Sequence, residues 1–103
     1  VLKWALSGAP SAAVTQISFE NTTVSDTITV GSLTLDADGD YLEIDCENMT
    51  VKVSYDGGAA TEVDYTGVFP LFNAGSNSYE TTVVGGGATW TLNQDITYFK
   101  TYL

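Results

Sequence analysis

The sequence predicts an all-β protein that folds as one antiparallel β-sandwich of about eight to nine strands. No stretch of the chain carries an apolar stripe at the helical period of about 3.6 residues. Valine, isoleucine, threonine and aromatic residues alternate instead with polar residues at the strand period of two. Turn residues separate these short runs, and this arrangement is typical of a sandwich or a barrel.

The first half of the chain shows the alternation in four runs. The first three expected strands cover residues 2–6, 14–20 and 27–35, in which branched or aromatic side chains recur at alternate positions. The turn SGAP at residues 7–10 separates the first strand from the second, because glycine and proline interrupt strand pairing. The fourth expected strand covers residues 40–46.

The second half of the chain predicts five more strands. They cover residues 49–55, 61–64, 78–84, 88–92 and 95–102. The segment YDGGAA contains an Asp-Gly hairpin signal and separates the first two of these strands. The GGG segment before the last two strands supplies residues that are free to adopt positive φ.

Size and charge restrict the class of protein. A chain of 103 residues is expected to form a single domain that spans residues 1–103. Its net charge of -10 repels phosphate, so no nucleic-acid partner is expected. No apolar run approaches the length of about 18 residues that a membrane span needs, so no membrane insertion is expected.

The absence of histidine restricts the chemistry. Without it the chain cannot form Ser-His or Cys-His nucleophile pairs or histidine zinc sites. Thirteen acidic residues on so short a chain produce close carboxylate pairs by chance, so such pairs do not indicate a glycosidase. The single cysteine, Cys46, falls on the apolar face of its expected strand and is interpreted as a core residue. The sequence therefore predicts no catalytic residue, no cofactor and no enzymatic activity.

The stretch LTLDADGDYLEID at residues 33–45 contains the candidate metal ligands Asp36, Asp38 and Asp40. An EF-hand register with Gly39 at the glycine position would replace the opening Asp by Thr and the bidentate Glu by Asp. We therefore predict a tight turn without a metal, in which Asp36 and Asp38 accept hydrogen bonds from local backbone N–H groups. A calcium site remains the weaker alternative.

Aromatic residues are the candidates for sugar binding. Trp4, Trp90 and Tyr98 could stack on sugar rings if they lay on an open face. Alternate aromatic residues on strands more often fill a sandwich core, because large apolar side chains are mostly buried. We therefore expect core positions for them and keep a sugar-binding face as the alternative.

Three segments of the chain carry a family likeness: GDYLEID (residues 39–45), VFPLFNAGSN (residues 68–77) and ITYFKTYL (residues 96–103). Together they resemble the C-terminal domain of phage distal tail proteins, the siphovirus tail-component family. The resemblance covers residues 33–103, and LSGAPS at residues 6–11 is similar to the entry strand. It implies a galectin-like or jelly-roll-like β-sandwich joined to an N-terminal ring-forming domain.

The resemblance also implies a function. The chain is expected to be the C-terminal part of a longer tail protein and a non-enzymatic structural and interaction module of a phage or prophage tail tip, or baseplate. It would project outward and support adhesion or receptor-binding components, with other tail-tip proteins as partners and a homo-oligomeric ring formed by the parent chain. The implied location is the virion tail, assembled in the host cytoplasm. The alternative is a carbohydrate-binding jelly-roll module that attaches to a cell-surface glycan.

Overall fold

Nine strands in two antiparallel sheets make up the computed structural model, which describes residues 1–72, 76–87 and 91–96. The strands are β1 (Leu2–Ser7), β2 (Val14–Asn21), β3 (Asp26–Val30), β4 (Tyr41–Asp45), β5 (Thr50–Ser54), β6 (Thr61–Glu62), β7 (Thr66–Gly67), β8 (Tyr79–Gly85) and β9 (Thr91–Ile96). One sheet has the order β6-β5-β4-β1-β9, and the other has the order β7-β3-β2-β8. The predicted all-β antiparallel sandwich is confirmed. Within the described ranges, no helix is long and apolar enough to cross a membrane.

The core lies between the two sheets and is built from alternate side chains. On β4, for example, Leu42 and Ile44 are buried whereas Tyr41 and Glu43 are only partly covered. The period-two pattern therefore sets which face of each strand turns inward. The buried cluster comprises Leu2, Trp4, Leu6, Val14, Ile17, Phe19, Ile28, Val30, Leu33, Leu35, Leu42, Ile44, Val51 and Val53. Burying one such large side chain stabilises the fold by about 1.5–3 kcal/mol.

Strand β3 ends five residues earlier than predicted. Ser32 adopts a φ of 55°, in the left-handed region, so the extended run predicted over residues 27–35 is interrupted. The chain then returns to β2 through a single bridge between Val14 and Leu35. Leu33 and Leu35 are nevertheless buried, because the alternation of their side chains resumes after the interruption.

The predicted break near residues 93–94 is wrong. Strand β9 runs through it, pairing with β1 from Leu2 opposite Ile96 to Ser7 opposite Thr91. Asn93 and Gln94 are weak strand formers, but the continuous register with β1 overrides their local preference. The outer parts of the two strands predicted there, residues 88–90 and 97–102, lie outside the described residues.

Strand β7 was not predicted, because two residues are too short to show a period. It pairs Gly67 with Ile28 and Thr66 with Thr29. Gly67 has a φ of 93°, and a Cβ at this position would clash with the backbone oxygen of Thr27. Glycine therefore allows the chain to approach β3 closely and to close one edge of the four-stranded sheet.

Candidate functional site

Asp40 is the centre of the acidic turn, residues 36–40, which precedes β4. Its side chain is completely buried, and Oδ2 accepts hydrogen bonds from the backbone N–H groups of Asp36 (3.1 Å) and Ala37 (3.0 Å). Its Oδ1 accepts a third bond from the N–H of Asp56 (2.8 Å), in the turn after β5. One carboxylate therefore holds two loops together, since bonds to a charged acceptor are stronger than neutral ones.

The predicted tight turn is confirmed, but the prediction that Asp36 and Asp38 accept its local N–H groups is wrong. Asp40 accepts the local N–H groups, whereas Asp38 Oδ1 accepts the N–H of Gly8 (2.7 Å), beyond the end of β1. Gly39 has a φ of 88°, as the turn prediction requires. The long-range partner of Asp38 could not be read from spacing, because it depends on how β1 and the turn meet.

Three carboxylates meet at this turn: one oxygen each from Asp36, Asp40 and Asp56 lies within 4.8 Å of the others. Asp36 and Asp40 were candidates from the sequence, and Asp56 joins them in place of Asp38. Such a group has the oxygen chemistry that calcium prefers. Both oxygens of Asp40 already accept backbone hydrogen bonds, however, so the arrangement is explained by the structure of the turn.

We expect that millimolar calcium will not raise the melting temperature more than magnesium does. A native-state site would stabilise the fold by about 2.7 kcal/mol at a hundredfold excess of calcium over its dissociation constant. Differential scanning fluorimetry with each cation checks this expectation. A calcium-specific rise that disappears in Asp56→Asn would show that the three carboxylates form a metal site.

Trp4 cannot serve as a sugar-binding residue, because its side chain is completely buried. Its ring packs against Phe19 with centroids 5.8 Å apart, and its Nε1 donates a hydrogen bond to Gln94 Oε1 (2.6 Å). The core position expected for Trp4 is therefore confirmed. The other two candidates, Trp90 and Tyr98, lie outside the part of the chain that the structure describes.

Charged residues form one row across the outer face of the five-stranded sheet. The register aligns Asp95, Lys3, Glu43, Lys52 and Glu62 on five neighbouring strands, so the sign of the charge alternates from strand to strand. Both lysines of the described ranges therefore lie in this row, and each has a carboxylate on either side. The amino group of Lys3 lies over the ring of Tyr41, 4.2 Å from the ring centroid.

A polar side groove of about 540 Å³ lies beside the outer face of the four-stranded sheet. Its lining residues are Gln16, Thr29, Gly31, Ser32, Glu62, Val63, Asp64, Tyr65 and Thr66. It offers amide, hydroxyl and carboxylate groups together with the partly exposed ring of Tyr65. These groups can bond to sugar hydroxyls and stack on a sugar ring.

An apolar end groove of about 440 Å³ lies at the end of the sandwich where β4 ends and β3 begins. Its lining residues are Asp26, Cys46, Met49, Tyr65, Gly67, Val68, Phe69, Pro70 and Leu71. Leu71 is 71% exposed and Val68 is 53% exposed. Three hydrogen bonds fix the segment that carries them: from Leu71 N to Asp26 Oδ2 (3.1 Å), from Asn21 Nδ2 to Leu71 O (2.7 Å) and from Val68 N to Thr27 O (2.9 Å).

Met49 is placed in the apolar end groove by a strained turn. Asp45 Oδ1 accepts the backbone N–H groups of Glu47 (3.0 Å) and Asn48 (3.1 Å), which closes the turn between β4 and β5. Met49 follows with a φ of 56° and a side chain that is 64% exposed. The left-handed conformation costs a residue with a Cβ about 1–2 kcal/mol. The sequence pattern did not indicate Met49 as a site residue, because only its backbone conformation distinguishes it from an ordinary strand residue.

Cys46 differs from its predicted position. It lies one residue beyond β4, is partly buried, packs against the core and lines the apolar end groove. Burial raises the pKa of its thiol, with a smaller opposing effect of the charged amino terminus. The thiol is therefore more fully protonated at neutral pH than a free cysteine.

We expect Cys46 to react slowly with a thiol reagent in native buffer at neutral pH and faster in denaturant. The native rate should rise with pH, with a midpoint above that of a free cysteine, because the thiolate is the reacting form and its pKa is raised. Stopped-flow measurements across pH, with denatured protein as the control, check this result. Equal native and denatured rates would contradict the burial of the thiol.

No family model, curated protein or solved structure matches the chain.

Proposed function

We propose that this chain is a non-enzymatic structural and interaction domain of a phage or prophage tail tip. It projects outward, supports adhesion or receptor-binding components, and is the C-terminal part of a parent chain that forms a homo-oligomeric ring in the virion tail. The observation that carries the interaction role is the apolar end groove, where large apolar side chains are exposed on a well-packed sandwich.

Further support comes from the segments that resemble the tail-component family. Residues 39–45 form part of the acidic turn and β4, while residues 68–71 line the apolar end groove. The β-sandwich is also the architecture that the resemblance implies. A non-enzymatic role is supported by the lack of histidine and by the use of Asp40 as a structural acceptor.

Immunogold electron microscopy tests the assignment to a tail. Antibodies raised against this domain should label the tail tip of the phage particles that contain this protein. Antibodies from the same animals before immunisation provide the control. Labelling confined to the particle head, or to a particle-free fraction, would overturn the proposal.

We expect the isolated domain to be a monomer or a weak oligomer without hydrolytic activity. Its net charge of -10 makes identical copies repel one another at low ionic strength, and the proposal assigns ring contacts to another part of the parent chain. Light scattering coupled to size-exclusion chromatography at low and high ionic strength measures the mass. A hexamer that persists at both ionic strengths would show that this domain itself makes the ring.

A carbohydrate-binding role is the second candidate, and the polar side groove favours it. A glycan array would then give micromolar binding to one glycan, weakened by Gln16→Ala and by Asp64→Asn. The exposed Asp36, which lies in the acidic turn, supplies the matched control Asp36→Asn. Binding that all three variants retain would place the sugar elsewhere.

A further inference from the structure

Exposed apolar side chains gather at one end of the sandwich. Seven large hydrophobic residues are exposed in the described part of the chain, and four of them line the apolar end groove: Met49, Tyr65, Val68 and Leu71. Single exposed hydrophobic residues are ordinary on a protein surface, whereas a contiguous group marks a site of interaction. Folding alone does not account for this grouping.

Met49 provides a second, independent indication. Its backbone is in the left-handed region, where asparagine or glycine would be less strained, and its side chain is mostly exposed. Methionine at this position therefore contributes neither a favourable turn nor much core packing. A flexible, polarisable side chain is suited instead to contact with an apolar partner.

Among the described residues, the charged side chains that line or adjoin the groove are negative, whereas the positive amino terminus lies near enough to act on Cys46. Asp26 lines the groove, Asp64 adjoins it in sequence, and Asp45 and Glu47 lie in the turn that carries Met49. Hydrogen bonds from Asn48 lower the pKa of Asp45, so that carboxylate stays ionised at neutral pH. The lysines of the described ranges lie in the alternating row on the outer face of the five-stranded sheet, where carboxylates oppose them.

We infer that the apolar end groove docks a segment of another protein in which apolar side chains are flanked by lysine or arginine. The apolar part would fill the groove, and the basic flanks would complement the surrounding carboxylates. A second copy of this chain fits poorly, because pairing two such grooves would bring like charges together. The inference rests on the proposed interaction role and deepens it by naming the surface and the chemistry of the partner.

Three synthetic peptides test the docking surface. One carries leucine and phenylalanine flanked by lysines, the second carries the same apolar residues flanked by glutamates, and the third keeps the lysines but replaces the apolar residues by serine. Fluorescence anisotropy with the whole chain should show binding of the first peptide at least about tenfold tighter than of the other two. Raising sodium chloride from about 0.05 M to about 0.5 M should weaken that binding, because salt screens the charges.

Two variants locate the peptide on the protein. In Met49→Asn, asparagine can adopt the left-handed backbone conformation that residue 49 has. Leu71→Ser leaves both backbone hydrogen bonds of residue 71 in place, so both variants should keep their fold. Each should weaken binding of the first peptide about tenfold. The matched control is Val84→Thr, which changes an exposed side chain of β8 outside the groove and should leave the affinity within about twofold.

Several outcomes would overturn the inference. They are equal affinity for the three peptides, unchanged affinity in both groove variants, a dimer of the chain that Met49→Asn dissociates, or binding to phosphatidylcholine vesicles in preference to the first peptide. Groove-dependent peptide binding without labelling of tail tips would support the docking surface and reject the tail assignment. Labelled tail tips without groove-dependent peptide binding would support the tail assignment and reject the docking surface.

Discussion

Asp40→Ala should lower the free energy of unfolding by about 3–5 kcal/mol, because it removes a buried charged acceptor that serves three backbone donors. The N–H groups of Asp36, Ala37 and Asp56 would then have to find water or remain unpaired. Since a domain of this size is stable by only about 5–15 kcal/mol, the variant should be close to unfolding. Urea denaturation followed by tryptophan fluorescence measures the change.

Two further variants separate the possible causes of that loss. Asp40→Asn keeps the shape but only one acceptor oxygen, so its stability should lie between those of the wild type and Asp40→Ala. Asp38→Ala is the matched control, because Asp38 is exposed and accepts a single N–H, from Gly8. Equal losses from Asp38→Ala and Asp40→Ala would show that burial and the number of donors do not matter at this turn.

Trp4→Ala should also lower the free energy of unfolding by about 3–5 kcal/mol. The side chain is completely buried between the sheets and contacts Phe19, so truncation leaves a cavity that its neighbours fill only in part. The ladder that joins β1 to β4 and β9 lies on either side of this position. Chemical denaturation followed by circular dichroism is suitable, because the substitution removes a fluorophore.

Trp4→Phe distinguishes packing from hydrogen bonding. Phenylalanine keeps much of the apolar volume but cannot donate to Gln94, so the expected loss is about 1–2 kcal/mol. Gln94 is exposed and also accepts a bond from Thr81 Oγ1, so its oxygen does not become isolated. The control is Tyr65→Ala, an exposed aromatic truncation that should cost clearly less than Trp4→Ala. A loss in Trp4→Phe as large as in Trp4→Ala would assign the effect to the hydrogen bond.

The candidate surfaces were only partly predictable. The segment with Val68 and Leu71 was recognised in sequence as part of a family likeness, but not as one wall of a groove. Met49 lies about twenty residues away, and only the fold brings its turn beside that segment. The tail-tip function stays a proposal, because it rests on sequence resemblance and on the chemistry of the groove.

The sequence by itself determined the fold class and the inward face of the main strands. Alternation at period two is a local property, and it places residues such as Leu42 and Ile44 on one face whatever their partners are. Tertiary structure decided what depends on pairing between distant segments. Pairing with β1 keeps β9 continuous through Asn93 and Gln94. Asp40 receives its three N–H donors from two loops, and the apolar end groove is assembled from three separate parts of the chain. Such contacts have no fixed spacing in sequence, because they arise only when the two sheets pack and bring loop ends together.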